Sequence, residues 1–482
     1  MADAVTEPKI NPVPLAVDLD GTLIRSDMLW ESFARLLRHK PFSALLFPIW
    51  WMQGRAYLKQ QIAARVEVNP AALPYHEEFL AWLREQKRAG RKLVLATASD
   101  IKMAKPVADY VGLFDEVMAS DGKTNLRDNA KRLALEKKFG IRGFDYAGNS
   151  SVDLGVWPGA REAIVVNANA SLAQRAGQCT KLGPTFLDNS SKFAALVRVL
   201  RPHQWVKNLI VFLPVITSHQ LTFWPLLAAL GAFAAFCLCA SGVYLLNDLM
   251  DLDADRQHPT KCKRPFAAGQ LPLQVGLVLS PVLILCGAYI ASELTANLVW
   301  LLLVYVIATT AYSLQLKRVA LLDVFILAGL YTSRLIAGHL VTNIEFSSWL
   351  LMFSMFIFLS LALMKRFQEL RQVRELNRAE VQGRGYTAGD LELVATLGLV
   401  SGSLAVLVLA LYVNSPQVQL LYKHPVELLL VCPLLLYWIA RVWFLAHRGQ
   451  MNADPTAFAL RDWPSYLIGA LTFMVMWLAT GH

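Results

Sequence analysis

Long apolar segments fill the chain after Trp205 and constrain its fold more than any other feature. Several are shorter than the ~20 residues that a helix needs to cross a bilayer, so short or broken spans are expected. The nine segments are Leu209–Thr217, Pro225–Leu246, Val275–Ala291, Asn297–Tyr312, Leu321–Val341, Trp349–Met364, Leu393–Val413, Val426–Ala446 and Tyr466–Thr480. The sequence therefore predicts a soluble half followed by an all-α polytopic membrane domain of about nine transmembrane helices.

The net charge of +10 follows membrane topology and does not indicate a nucleic-acid partner. Lys and Arg cluster in alternate loops, Arg384 among them, whereas the opposite loops offer only Lys423. By the positive-inside rule, the N-terminus and every even loop face the cytoplasm and the C-terminus faces out. Met1–Pro14 is polar and lacks the apolar core of a signal peptide, so the soluble half is expected to stay in the cytosol.

An acidic run closes the second apolar segment, where Asp248, Asp251 and Asp255 recur at intervals of three and four. A continuing helix would place these three carboxylates on one face, where they would repel each other unless a cation joined them. Carboxylate oxygens suit Mg²⁺, which typically bridges one or two protein carboxylates to substrate phosphates. The run therefore indicates a Mg²⁺-diphosphate site at the membrane boundary. The alternative is a solvated acidic loop between two membrane helices.

The soluble half alternates short apolar strands with helical stretches, which predicts an α/β domain with a parallel, Rossmann-like sheet. The candidate strands are Pro14–Val17, Lys92–Ala96, Glu116–Ala119, Asp145–Ala147 and Ala163–Val166. Ligands bind beyond the carboxyl ends of the strands in such sheets, and this is where Asp18 and Asp20 fall.

The segment Asp18-Leu19-Asp20-Gly21-Thr22 resembles the first motif, DxDGT, of the haloacid-dehalogenase-type (HAD) phosphatases. The resemblance covers roughly Pro12–Cys179. It implies that Asp18 is the nucleophile that accepts the phosphoryl group and that Asp20 is the acid/base that protonates the leaving oxygen. It also implies Mg²⁺, held by Asp18, by the carbonyl of Asp20 and by a carboxylate of the last motif.

Further positions follow from the same resemblance. Thr97 matches the hydroxyl that orients the phosphoryl group, and Lys131 matches the lysine that stabilises its charge, with Lys123 a weaker candidate. The last motif departs from the family because Asn149 stands where Asp is usual. Asp153 is then expected to hold the metal through its charge, while Asn149 supplies a neutral oxygen. The alternative is a domain that only binds phosphate or supports assembly.

The expected domains are 1–182 for the phosphatase-like part, a linker at 183–197, and 198–482 for the membrane part. Residues 27–91 lie where small helical caps sit in this phosphatase class. Within them, Pro41–Met52 is apolar and Trp-rich, flanked by Arg38, Lys40 and Arg55. Such a run fits either a membrane interface or the core of the cap.

The acidic run resembles the NDxxDxxxD motif of the UbiA-type intramembrane prenyltransferase superfamily, matched by Asn247, Asp248, Asp251 and Asp255. The resemblance spans about Arg198 to the C-terminus and implies nine helices around a lateral, lipid-facing cavity. Basic residues follow the run directly, and they are expected to bind the remaining phosphate oxygens. These residues are Lys261, Lys263 and Arg264.

A second polar cluster separates two chemistries within that superfamily. Prenyl transfer to an aromatic ring normally adds a second DxxxD motif after the sixth span, but here only Glu369 is acidic. The remaining polar positions resemble the polyprenyl-phosphate phosphoribosyltransferase branch. They are Lys207, Tyr312, Lys317, Arg318, Asp323, Arg334, Lys365 and Arg366, with Glu369. Arg334 lies inside the fifth span, where an unpaired cation is costly, so a functional role is expected. For the loop lysines the alternative role is topology alone.

The implied reaction joins a polyprenyl phosphate to C1 of phosphoribosyl pyrophosphate and releases diphosphate. The fused phosphatase is then expected to remove the 5-phosphate of the lipid-linked product, with Mg²⁺ at both sites. These expectations place the protein in a bacterial inner membrane, with both active sites on the cytoplasmic side. A homo-oligomer is compatible with the sequence. The competing interpretations are an aromatic prenyltransferase with a regulatory or degenerate phosphatase domain and, more distantly, a membrane carrier or scaffold.

Overall fold

The computed structural model describes residues 13–121, 126–188, 190–376, 384–451, 455–459 and 461–480. They form two compact units. The first unit contains the described residues up to Leu200 together with Tyr244–Ser280, and the second contains Arg201–Val243 and the described residues from Pro281 onward. The acidic run thus belongs to the first unit, with the phosphatase-like domain. The sequence analysis had placed it with the membrane half.

A six-stranded parallel sheet forms the centre of the first unit, in the order β3-β2-β1-β4-β5-β6. Leu15 of β1 pairs with Leu93 of β2 on one side and with Asp145 of β4 on the other. The strands are β1 (Leu15–Val17), β2 (Leu93–Asp100), β3 (Glu116–Ser120), β4 (Asp145–Gly148), β5 (Glu162–Ala168) and β6 (Lys181–Leu187). The predicted α/β class is confirmed, and all five predicted strands are present.

Strand β6 departs from the expected linker at 183–197. Within that range, Thr185, Phe186 and Leu187 pair with β5, and a helix begins at Lys192. The strand carries Gly183 and Pro184, which disfavour strand assignment from sequence. An edge strand tolerates both residues because one of its sides needs no ladder hydrogen bonds, and β6 is at the edge of this sheet.

Helices pack on both faces of the sheet and build the cap between β1 and β2. The first nine are α1 (Met28–His39), α2 (Pro41–Ala44), α3 (Phe47–Met52), α4 (Arg55–Ala63), α5 (Glu77–Arg88), α6 (Ile101–Val111), α7 (Asn129–Phe139), α8 (Ala170–Cys179) and α9 (Lys192–Leu200). Alternation along β1 divides the core, because Leu15 and Val17 join one buried cluster and Ala16 joins the other. The central strand is therefore buried on both faces, and its carboxyl end delivers Asp18 to the sheet edge.

The rest of the chain is helical. A 3₁₀ segment at Pro202–Phe212 precedes α10 (Leu213–Thr217), α11 (Phe223–Met250), α12 (Leu252–Gln257), α13 (Leu273–Leu294), α14 (Ala296–Leu314), α15 (Leu322–Thr342), α16 (Ser348–Glu375), α17 (Leu391–Val413), α18 (Pro416–Leu421), α19 (Val431–His447), α20 (Pro455–Ala459) and α21 (Trp463–Ala479). Short 3₁₀ turns also occur, among them Lys261–Lys263, Leu316–Arg318, Ala388–Asp390 and Pro425–Leu430.

Among the residues that the structure describes, seven helical segments are long and apolar enough to cross a membrane, and they coincide with seven of the nine predicted segments. The ninth predicted segment corresponds to α21, an apolar helix of 17 residues. The first is the exception, because its residues are divided between a 3₁₀ segment and the five-residue helix α10. The expectation of short or broken spans is met there.

Close packing between α16, α17 and α19 anchors the second unit. Gly398 of α17 lies against the ring of Trp443, and a side chain larger than hydrogen at this position would collide with the indole. Ser360 Oγ donates to the carbonyl of Gly398 at 2.7 Å, and Trp443 Nε1 donates to Ser360 Oγ at 3.1 Å. The glycine thus lets an indole approach the helix backbone, and the buried hydroxyl satisfies the polar atoms around it.

Candidate active sites

Asp18 follows the last residue of β1, at the carboxyl edge of the sheet. Its Oδ1 accepts hydrogen bonds from Leu19 N and Lys131 Nζ, each at 2.9 Å. Burial raises the pKa of Asp18 to about 7; Lys131 opposes that rise, and the nearby carboxylates of Asp153 and Asp20 add to it. The predicted nucleophile is therefore mostly buried, and the positive charge of Lys131 partly compensates its negative charge.

Lys131 lies in the first turn of α7, and its ammonium group also contacts Tyr146 Oη at 2.9 Å. Burial disfavours the charged lysine, but the carboxylates of Asp18 and Asp153 outweigh that effect and raise the pKa of Lys131. The lysine therefore stays protonated beside the nucleophile, where a phosphoryl group would develop negative charge.

The last motif forms a capped loop rather than an open metal site. Asp153 Oδ2 accepts hydrogen bonds from Asn149 N, Ser150 N and Ser150 Oγ at 2.9 to 3.0 Å, and its Oδ1 accepts one from Tyr146 Oη at 2.8 Å. Both oxygens are thus occupied by donors. In this arrangement Asp153 positions the loop and Tyr146, and its role as a metal ligand stays a prediction.

Asn149 lies against Gly21, at φ +76°, and any side chain at that glycine would collide with the amide. Its Oδ1 is 3.4 Å from Thr22 Oγ1, a long contact. Asp18 Oδ2 has no hydrogen-bond partner within the described ranges. One carboxylate oxygen and one amide oxygen remain available, and Mg²⁺ accepts so small a protein set when water and a substrate phosphate complete it. The residues fit Mg²⁺ with Asp18 and Asn149 as side-chain ligands.

Asp20 also lies at the site, where its two oxygens accept hydrogen bonds from Met28 N at 2.8 Å and Ser99 Oγ at 2.7 Å. Thr97 is less accessible than predicted, because β2 continues to Asp100 and the fully buried Thr97 hydroxyl accepts from Ser99 N. Sequence analysis missed Ser99, although it lies two residues beyond Thr97 on the same strand. Lys123 lies outside the described residues.

Asp18 opens into a cavity of about 950 Å³. Its walls carry charges of both signs, with Trp30 and Trp51 on the cap side and the loop Gly269–Gln274 as a further wall. The charged lining residues include Asp20, Arg25, Asp27, Lys59, Arg127, Lys131, Arg175 and Lys192. A site of this volume accommodates a phosphorylated sugar with room for a larger group attached to it.

The acidic run is not one continuous helix. Helix α11 ends at Met250, Asp251 adopts φ −97° and ψ 13°, and α12 begins at Leu252. The amides still bond four residues back, from Asp251 N to Asn247 O and from Asp255 N to Asp251 O. Asp248 and Asp255 face a common partner, whereas Asp251 pairs with Arg38. Asp251 remains close enough to Asp255 to add to the rise of the Asp255 pKa, and its convergence with Asp248 and Asp255 on one cation stays a prediction.

Arg264 bridges the two converging carboxylates. Its Nη1 lies 3.1 Å from Asp248 Oδ1 and 2.6 Å from Asp255 Oδ2. Burial raises the pKa of Asp255, and Arg264 opposes that rise. Asn247 Oδ1 is buried with no hydrogen-bond partner among the described residues. Asp248 and Asp255 thus bind the same positive group, and Asn247 has an unsatisfied oxygen. These three side chains fit a cation that would take the place of the Arg264 guanidinium.

Lys261 and Lys263 lie on the 3₁₀ turn that precedes Arg264, and both are exposed. Their ammonium groups are thus on the solvent side of the acidic run. This placement agrees with the predicted role of binding phosphate oxygens, which no contact in the structure tests.

Cap helix α1 is joined to the acidic run by ion pairs that the sequence did not reveal. Arg256 binds Glu31 through two hydrogen bonds, at 2.7 and 3.0 Å, and Arg35 binds Asp253 in the same two-pronged manner. Burial disfavours the charge of Glu31, but the Arg256 guanidinium outweighs it, and the pKa of Glu31 is lowered. The cap and the acidic run therefore form one folded body.

The second unit contains a buried network of opposite charges. Arg366 Nε lies 2.9 Å from Asp323 Oδ2, an ion pair without hydrogen-bond alignment, and Arg366 Nη1 pairs with Glu369. Arg384 Nε lies 3.4 Å from Glu369, and its Nη1 donates to Tyr312 Oη at 2.8 Å. Arg384, which the sequence analysis assigned only to topology, is thus part of this network.

Asp323 was predicted to contact substrate, but it is fully buried. Its Oδ1 accepts a 2.6 Å hydrogen bond from Tyr386, and its Oδ2 faces Arg366. Its place in the structure is that of a counterion which holds Arg366 in position. Lys317 and Lys365 are half-buried and Arg318 is exposed.

Arg334 has a partner for each guanidinium nitrogen. Nε donates to Asn208 at 3.0 Å, Nη2 donates to Tyr305 Oη at 3.1 Å, and Nη1 donates to the carbonyl of Leu330. Its guanidinium also lies 4.8 Å from the centre of the Tyr305 ring. The cost of a buried cation is thus offset by neutral acceptors and aromatic faces.

Lys207 lies in an apolar cavity of about 310 Å³ in the second unit, with its Nζ 5.6 Å from the centre of the Tyr331 ring. The other lining residues are mostly apolar, among them Ile210, Phe358 and Leu361. Across the described part of the chain, no group of three or more His, Cys, Asp or Glu side chains is arranged to hold a metal ion.

Residues 209–480, more than half of the chain, match the UbiA prenyltransferase family. The chain belongs to the UbiA prenyltransferase family. Residues 15–156 match the haloacid dehalogenase-like hydrolases, which agrees with the sheet and with the position of Asp18. With seven candidate spans, this UbiA protein is a multi-pass membrane protein that carries a HAD-like domain.

Three relatives illustrate the range of similarity. A Sinorhizobium fredii protein, "Uncharacterized protein y4nM", is 37% identical over 95% of this chain and 89% of its own length. The nodulation protein NoeC of Azorhizobium caulinodans is 36% identical over 56% of this chain and 88% of its own. The decaprenyl-phosphate phosphoribosyltransferase of Mycolicibacterium smegmatis is 36% identical over 44% of this chain and 69% of its own. The first match extends over both halves of the chain.

Proposed function

We propose that the membrane half transfers a 5-phosphoribosyl group from phosphoribosyl pyrophosphate to a polyprenyl phosphate. The HAD-like half then removes the 5-phosphate, which leaves polyprenyl phosphoryl ribose. Similarity to the decaprenyl-phosphate phosphoribosyltransferase supports the first step. The observation that carries the choice is the state of Glu369, which is held by Arg366 and Arg384 and does not open a second acidic metal site. A basic network in that place suits phosphate-bearing substrates.

In the transfer step, an oxygen of the lipid phosphate forms a bond to C1 of the ribose, and the bond from C1 to the diphosphate oxygen breaks. Mg²⁺, held by Asn247, Asp248 and Asp255, would neutralise the charge of the departing diphosphate. Lys261 and Lys263 would bind its outer oxygens, joined by Arg264 after its release from the carboxylates. A lipid phosphate is ionised at neutral pH, so the step requires no general base.

Lys207 is our candidate for binding the lipid phosphate. It is a cation at an apolar cavity, an arrangement that suits a charged head followed by an isoprenoid chain. Arg334 and Asp323 are assigned positioning roles, because their polar atoms are already engaged within the second unit.

In the hydrolysis step, the Asp18 carboxylate attacks the 5-phosphate, and the bond from phosphorus to the sugar oxygen breaks. Asp20 supplies the proton to that oxygen and then takes one from the water that releases inorganic phosphate and regenerates Asp18. Lys131 stabilises the negative charge on the transferring group, and Mg²⁺ on Asp18 and Asn149 would reduce repulsion between the two anions.

Membranes containing the protein should convert labelled phosphoribosyl pyrophosphate and polyprenyl phosphate into a labelled lipid. Asp248→Asn should reduce this conversion by roughly 10³-fold or more, because a charge that stabilises the leaving group is lost. Glu392→Gln is the matched control, an exposed carboxylate of α17. If labelled prenyl diphosphate and 4-hydroxybenzoate react instead, the protein is an aromatic prenyltransferase and the proposal is wrong.

A further inference from the structure

The cap segment Pro41–Met52, which comprises α2 and α3, divides its apolar side chains between two faces. Trp50 is 5% exposed and packs in the cap core with Phe33 and Leu58. Phe42 and Met52, in contrast, are 85% and 86% exposed. The core interpretation therefore holds for one face of this run, and the other face is open.

The open face is continuous. Phe42, Leu45, Ile49 and Met52 are exposed, and their spacing of three, four and three residues places them on one side of a helical path. Leu45 and Leu46, between α2 and α3, keep right-handed helical backbone angles, so the path is not broken there. Clustered exposed side chains of this size indicate a surface that is covered in the working protein.

A membrane-spanning helix meets the cap beside this face. Leu277, one turn into α13, packs against the cap cluster that contains Trp50. Helix α13 is 22 residues long and apolar enough to cross a bilayer. The cap therefore contacts the second turn of a helix that is long and apolar enough to cross a bilayer. Lys40 is exposed at the start of the segment, and a basic side chain suits anionic lipid head groups.

The open face also leads to the hydrolase cavity. Phe47 packs on Trp51 at 5.8 Å and on Trp30 at 5.7 Å between ring centres, and both tryptophans line the cavity that contains Asp18. An aromatic wall thus connects the exposed segment to the nucleophile. A substrate with an apolar tail would find apolar surface along this route, whereas a free sugar phosphate would gain nothing from it.

We propose that the open face of Pro41–Met52 inserts into the interfacial layer of the bilayer next to α13, so that the hydrolase site receives phosphate groups of membrane-anchored lipids. The insertion stands on its own observations, and the substrate class rests on the hydrolysis step of the proposed function. The bond that breaks is the one from phosphorus to the sugar oxygen, with water as the second reactant. The surface is specific to lipid because it combines large apolar side chains with a flanking cation.

Depth measurements on the full-length protein in lipid nanodiscs test the insertion. The six native cysteines are replaced, and a spin label is attached to Phe42→Cys or Met52→Cys. We expect both labels to collide more often with oxygen, which concentrates in lipid, than with a water-soluble nickel complex. Ile141→Cys is the matched control. Ile141 is 78% exposed and precedes β4, at the amino ends of the strands, whereas Asp18 lies at their carboxyl ends.

Collision rates at Phe42 and Met52 that equal those at Ile141 would overturn the insertion. Spin-spin broadening between labels on separate copies would overturn it too, because a second copy of the chain would then cover the face. Neither result depends on activity, so a failure of the proposed function leaves this test unaffected.

A second experiment keeps the native cysteines and replaces Phe42 and Met52 by Glu, which should expel the face from lipid. We expect hydrolysis of a lipid-linked ribose 5-phosphate in nanodiscs to fall at least tenfold through a higher KM. Hydrolysis of soluble p-nitrophenyl phosphate should stay within twofold of wild type. Equal loss for both substrates, or no loss for either, contradicts the proposal. Correct insertion in a wild-type protein that does not hydrolyse the lipid-linked ribose phosphate would instead refute the proposed function alone.

Discussion

The two acidic sites of the first unit treat their carboxylates differently. At the HAD-like site, Asp18 is paired with Lys131, which comes from the same domain and is proposed to stabilise the transferring group. At the acidic run, Asp248 and Asp255 are paired with Arg264, which lies where a cation would bind. Under the proposed function, a cation beside a carboxylate would assist catalysis in one site and would compete with the metal in the other. Substitutions of these cations should therefore have opposite effects.

Among substitutions of the cations that pair with these carboxylates, the largest effect is expected for Lys131→Met. Hydrolysis of a phosphate monoester should fall by roughly 10² to 10³-fold, because the charge that stabilises the transferring group is lost. The pKa of Asp18, already about 7, should rise further without the ammonium group. Asp18 then stays protonated, and so inactive as a nucleophile, up to a higher pH. The residual rate should therefore increase more steeply above neutral pH. Lys137→Met, an exposed lysine on the same helix, should leave the rate and pH profile unchanged.

The second-largest effect is expected at the junction between the cap and the acidic run. Glu31→Gln leaves Arg256 buried without its counterion, and removing one partner of a buried ion pair costs about 3–5 kcal/mol. The midpoint of thermal unfolding should fall accordingly, whereas Glu77→Gln, on the exposed start of α5, should leave it unchanged. An unchanged midpoint in Glu31→Gln would show that the two elements are not held together by this pair.

The same pair gives a pH dependence with a defined sign. The pKa of Glu31 is below its ordinary value of 4.5 in the folded protein. Its contribution to stability is therefore complete above pH 4.5 and is lost as the pH falls through the folded pKa. In calorimetric scans at decreasing pH, the gap between wild type and Glu31→Gln should narrow in that acidic window. A gap that widens there would contradict the assignment.

The smallest effect is expected for Arg264→Gln. Removing the guanidinium frees Asp248 and Asp255, so Mn²⁺ used as a probe should bind about tenfold more tightly, a change of about 1.4 kcal/mol. The titration is followed by electron paramagnetic resonance in an Asp18→Asn background, which weakens the HAD-like site. Lys263→Gln is the matched control. Weaker binding in Arg264→Gln would mean that the arginine supports the metal site, and the contrast between the two sites would disappear.

The contrast also explains what could be predicted. Asp18 and Lys131 match positions of a known motif, and the strands around them are short apolar runs. The sequence was therefore sufficient for five strands of the sheet and for the pair at their carboxyl ends. Strand β6 was missed because Gly183 and Pro184 disguise an edge strand. The helix break at Asp251 and its pairing with Arg38 could not be foreseen, because the two residues are 213 positions apart and only tertiary packing brings them together.

The central claim is that the hydrolase acts on the product of the transferase, and a doubly labelled substrate tests it most directly. Phosphoribosyl pyrophosphate with tritium in the ribose and ³²P in the 5-phosphate is supplied with polyprenyl phosphate to the protein in nanodiscs. Wild type should give a lipid fraction that contains tritium without ³²P. Asp18→Asn should retain both labels in equal amounts, and Asp109→Asn, an exposed carboxylate of α6, should resemble wild type. Wild-type lipid that keeps both labels, as in Asp18→Asn, would contradict the claim.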